Sequence, residues 1–166
     1  MPFSYQSIVK GAVPIAGSSV NPAGVAVVDF AIPAGVRRLT LLSNGLIASG
    51  AIVRLGTSSG MLTTGYNSIS HFYGSVGGGT GSVGTEAIST VGIIVPKCQS
   101  AIHAVFCMTF YRMSPNSWNA TGQSRDGADF GGNSIGNILL PGELTTFSYI
   151  NPTTMTAGSL QLLWEF

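Results

Sequence analysis

Ser159-Leu160-Gln161-Leu162-Leu163-Trp164-Glu165-Phe166, the last eight residues, alternate as a half-buried β-strand does. Leu160, Leu162, Trp164 and Phe166 fall on one face and Ser159, Gln161, Leu163 and Glu165 on the other, because successive side chains in a strand point to opposite sides. An inward tryptophan with three apolar companions marks a core face or a subunit contact. Further back, Ala104, Phe106, Met108 and Phe110 share one face of the run Ile102–Met113. Its other face, with Val105, Cys107, Thr109 and Tyr111, is also largely apolar. A strand apolar on both sides is expected to be covered on both, within the domain or by another subunit.

The rest of the chain is a series of short β-runs punctuated by glycine and proline. Val25–Ile32 ends at Pro33-Ala34-Gly35, and Val36–Ser43 ends at Asn44-Gly45, a dipeptide favoured in tight turns. Ala51–Leu55, Leu62–Ile69 and Ala87–Val95 follow, the last stopping at Pro96. Ile102–Met113 and Trp118–Gln123 flank Ser114-Pro115-Asn116-Ser117, which reads as a hairpin turn. Ile135–Leu140 and Leu144–Ile150 precede the terminal strand. No long segment carries a helical period. The expected fold is all-β: an antiparallel β-sandwich, jelly-roll-like, over residues 25–166. Residues 1–24 are expected to be an extended N-terminal arm, since Pro14, Gly17, Ser18, Ser19, Asn21, Pro22 and Gly24 interrupt regular structure. Its apolar residues Phe3, Tyr5, Ile8, Val13 and Ile15 are candidates for contact with a neighbouring subunit.

Composition narrows the function. With 166 residues the chain needs only one domain. Only 8% of residues are charged, against about 25% in ordinary soluble domains, while 45% are hydrophobic and the mean hydropathy is +0.39. So little charge covers the surface poorly, and a homo-oligomer is expected. Net charge is +1 and Arg37-Arg38 is the only basic pair, which argues against nucleic acid or an anionic membrane as partner. The start, MPFSYQSIVKGAV, has no secretory pattern, and no apolar run reaches the roughly 18 residues of a membrane span. Cys98 and Cys107, with no CxxC spacing, read as buried apolar thiols rather than a disulfide.

Motifs for chemistry fail on context. Gly79-x-Gly81-x-x-Gly84 has the dinucleotide spacing, but a strand-like run follows where a helix N-terminus is required. His71, His103, Cys98 and Cys107 lack the spacing of a metal site. The carboxylates Asp29, Glu86, Asp126, Asp129, Glu143 and Glu165 form no evident acid–base pair, and no nucleophile elbow is present. No catalytic residue, cofactor or metal is expected. Tyr66, Tyr73 and Trp118, in or beside loops, either cap the ends of the sandwich or are candidates for stacking on a sugar or another surface ligand, and Arg125-Asp126 is a simple turn or a recognition loop.

Val28-Asp29-Phe30-Ala31-Ile32-Pro33-Ala34-Gly35-Val36-Arg37-Arg38-Leu39-Thr40 resembles a recurrent segment of tail-fibre and minor structural proteins of tailed bacteriophages. The similarity continues through Asn44-Gly45, Val53-Arg54-Leu55-Gly56 and Thr63-Thr64-Gly65-Tyr66. It resumes at the Tyr111–Asn119 hairpin with Trp118 and ends with Ala157-Gly158-Ser159-Leu160-Gln161-Leu162. The resemblance implies a virion structural protein of tail-fibre or collar type, made in the bacterial host cytoplasm and built into the particle as a trimer or larger oligomer. Its partners would be other virion structural proteins and a host-surface glycan or protein. A capsid decoration protein (head-fibre or cement) and a lectin-like receptor-binding module are the alternatives. The resemblance carries no catalytic residue with it.

Overall fold

In the computed structural model the described residues are 15–46, 50–74, 85–96, 104–125 and 130–166. Among them run thirteen strands and no helix: β1 (Ile15–Val20), β2 (Val27–Ala31), β3 (Arg38–Leu46), β4 (Ile52–Thr57), β5 (Gly60–Met61), β6 (Asn67–Gly74), β7 (Thr85–Ser89), β8 (Ile93–Ile94), β9 (Ala104–Ser114), β10 (Ser117–Arg125), β11 (Phe130–Leu139), β12 (Thr146–Ile150) and β13 (Ser159–Glu165). One sheet has eight strands in the order β1-β13-β3-β9-β10-β11-β6-β7; the other orders β2-β12-β4-β5, with β8 also on β4. The pairings are antiparallel, and the two sheets pack into a β-sandwich.

The alternation read from the sequence becomes the core. Leu39 and Leu41 of β3, Phe106, Met108 and Phe110 of β9, and Leu160 and Leu162 of β13 are buried on the inner face of the large sheet. They meet Val28, Phe30, Val53, Leu55, Phe147 and Tyr149 from the small sheet. Aromatic rings bridge the two layers. Phe110 stands edge-on to Phe147 at 5.0 Å between centroids, and Phe106 stacks on Tyr149 at 6.0 Å. Both arrangements fall in the favoured range for ring pairs.

Four expectations need correction. Ile15–Val20, read as part of the arm, is β1, paired with β13 of its own chain through Ile15↔Trp164 and Val20↔Leu160. Gly17, Ser18 and Ser19 are tolerated because this is an edge strand with a register shift between Ala16 and Ser19. Phe3, Tyr5, Ile8 and Val13 lie outside the described residues. Asn44-Gly45 is not a turn between strands. β3 continues to Leu46, and Gly45, at φ 64°, sits in a bulge against β9. A left-handed residue serves a bulge as well as a hairpin. The run Ala87–Val95 is two strands. β7 pairs with β6 in the large sheet and β8 with β4 in the small one, so the chain crosses between layers at Thr90-Val91-Gly92. Finally, Cys107 is an exposed free thiol rather than a buried one; Cys98 is outside the described residues.

Candidate association surface

The outer face of the eight-stranded sheet is the feature that the fold leaves unexplained. Following the registers from edge to edge gives one continuous row: Ala16, Leu163, Thr40, Thr109, Thr121, Ile135, Ile69 and Ile88, one position from each strand. All eight are aliphatic or threonine. Ile88 and Ile135 are 75% and 57% exposed. Such β-branched side chains fit a pleated surface, but their exposure to water is what a covering layer would relieve.

Two rows flank this one. Toward the β9–β10 hairpin lie Glu165, Arg38, Tyr111, Asn119, Asn137 and Asn67, with Met113 and Leu139 one step further. Arg38 is ion-paired to Glu165 at 3.0 Å and stands 5.5 Å from the Tyr111 ring centroid, so these two charges are matched within the chain. Met113 and Leu139 are 64% and 72% exposed. On the other side lie Gln161, Leu42, Cys107, Gln123, Asn133 and His71, followed by Val105, Arg125, Gly131 and Tyr73. This second side is hollow. A groove of about 630 Å³ runs across it, lined by Leu42, Val105, Cys107, Gln123, Arg125 and Tyr73 among others.

The five surface candidates therefore separate. Trp118 is 1% exposed, an inward residue of β10 between Arg112 and Ile138, and belongs to the core. Tyr66, 3% exposed, is also a core residue. Its hydroxyl accepts a bond from the Leu55 amide at 2.8 Å and donates to the Leu62 carbonyl at 3.1 Å. Burial raises its pKa above the usual tyrosine value, partly offset by the Leu55 bond and the Arg54 charge. Proximity to a loop in sequence, which makes both candidates for the surface, does not tell which way a side chain turns. Tyr73 and Arg125 are exposed and come together at one end of the groove. Gly131 sits between them in register, and a Cβ there would fall 2.9 Å from the Tyr73 ring, so the ring lies in the space this glycine leaves. Asp126 is outside the described residues.

Each acidic side chain described has a structural partner. Asp29 accepts the Ser148 hydroxyl, Glu143 caps the Gly35 amide at 2.9 Å, and Glu165 holds Arg38. No three potential metal ligands cluster among the described residues. Among the described residues the chain thus has the form of an all-β sandwich whose large sheet has one polar-apolar face uncovered. No family model, no curated protein and no solved structure matches it.

Proposed function

We propose that this chain is a structural subunit of a tailed-bacteriophage particle, of tail-fibre or collar type, that works by associating with other subunits rather than by chemistry. The observation that carries the reading is the open sheet face, where Val105, Tyr111, Met113, Ile135, Leu139 and Ile88 are exposed in a chain with 8% charged residues. Covering such a face is worth roughly 25 cal/mol per Å² before the costs of association. It needs no salt bridges. The tail location rests on the ordered sequence resemblance, and a capsid decoration role shares every structural requirement. Antibody labelling of purified particles tests both: label at the tail supports the reading, label over the head moves the subunit to the capsid, and its absence from particles removes the virion role.

A second reading, a sugar-binding module, is favoured by one arrangement. Tyr73 and Arg125 flank the groove with Gln123 beside them, and an aromatic face with amide and guanidinium donors suits a glycan. Tyr73→Ala with unchanged host adsorption would remove this reading.

A further inference from the structure

We infer that the outer face of the eight-stranded sheet is a two-fold interface with a second copy of this chain, packed face to face about an axis along the Leu163–Thr40–Thr109–Thr121–Ile135–Ile69–Ile88 row. The inference rests on the reading that the chain acts by self-association, and it names the surface and the mode. The face is complementary to itself. The face carries projecting apolar residues on the hairpin side of the central row and a hollow on the other side. Met113 lies four residues beyond Thr109 in one direction, and Val105 four residues in the other; Leu139 and Gly131 stand in the same relation to Ile135. Rotation about the central row therefore sets Met113 over the copy's Val105 in the groove, and Leu139 over the Tyr73 ring that covers the copy's Gly131. Tyr111 falls over Cys107. Projections meet the groove.

Charge agrees. The same rotation places Arg38 over Leu42, Glu165 over Gln161 and Arg125 over Ser117, so no like charges face each other, as an isologous contact requires. The size also fits. Eight strands at about 4.8 Å spacing span ~34 Å, and the eight-residue steps from Val105 to Met113 span ~27 Å, giving about 900 Å² before twist reduces the overlap. A standard interface takes about 800 Å² per partner. Aligned sheet packing at roughly 30° is the ordinary way for two such faces to meet. The result is a dimer or an even assembly in place of the trimer that the sequence resemblance implies.

The test compares the full chain with Thr121→Lys, Ile135→Lys and, as a control on the outer face of the small sheet, Val27→Lys, by light-scattering chromatography with circular dichroism to check folding. The expected result is a dimer or an even oligomer for the parent and for Val27→Lys. The two row variants should dissociate, with Kd raised on the order of a hundredfold or more by the uncompensated buried ammonium. An oligomer unaffected by folded Thr121→Lys and Ile135→Lys, or a closed trimer, overturns this interface while self-association stands. A monomer at every concentration sinks both. Should the lysine variants fail to fold, maleimide labelling of Cys107, read by peptide mapping, decides on the parent protein. Protection at high concentration that is lost on dilution supports the interface, and equal labelling rates at both overturn it.

Discussion

Replacing Trp118 separates the core assignment from a surface role. The indole is 1% exposed and belongs to the buried core cluster. Trp118→Ala removes the largest fully buried side chain and leaves a cavity that flanking strands cannot close without breaking registers on both sides, Trp118↔Arg112 and Trp118↔Ile138. Truncations of this kind cost about 3–5 kcal/mol. For a domain of this length each kcal/mol moves Tm by roughly 2–4 °C, so the expected loss is about 6–20 °C. Trp118→Phe should cost less, ~1–2 kcal/mol, because it keeps a ring and deletes the Nε1–H, which is buried without a hydrogen-bond partner among the described residues. Urea unfolding with the slope held constant measures both. A loss under about 1 kcal/mol for Trp118→Ala would refute the assignment and return the residue to the surface.

Tyr66 gives a pH signature. Its folded pKa is raised, so the protonated hydroxyl favours the folded state fully below the unfolded tyrosine pKa near 10, and that stability is lost as pH rises from there through the folded value. Alkaline unfolding monitored by tyrosine absorbance should show this, and Tyr66→Phe should flatten the loss while costing about 1–3 kcal/mol at neutral pH through the orphaned Leu55 amide. Tyr73→Ala should cost about 1 kcal/mol in the Thr121→Lys background, since its ring is 43% exposed and packs over Gly131; a loss above ~2 kcal/mol measured by urea unfolding would make it a structural residue. Glu143→Gln should weaken the bond to the Gly35 amide by about 1 kcal/mol, read as a lower denaturation midpoint.

Much of the fold is legible in the residues. Alternation at Leu160-Leu162 and Phe106-Met108-Phe110 placed the inner faces, and Pro115-Asn116 placed the β9–β10 hairpin. What the chain could not disclose is register between distant strands. Thr40, Thr109, Thr121 and Ile135 look unrelated over nearly a hundred positions of sequence, yet pairing sets them side by side. The apolar outer face of β9 is visible in the sequence; that the described layers leave it uncovered comes only from their arrangement. The burial of Tyr66 and Trp118 is hidden in the sequence for the same reason that β1 is. Local composition reports turn-formers and aromatics, while burial is decided by the layer packed against them.

The most direct measurement is sedimentation equilibrium of the purified chain at low and at high salt. Association through a face whose charged positions are Arg38, Glu165, Arg125 and, by register with His71, Glu86, the first two paired to each other, predicts an oligomer whose mass holds or strengthens as salt rises. Dissociation in high salt, or a monomer under both conditions, would contradict the account.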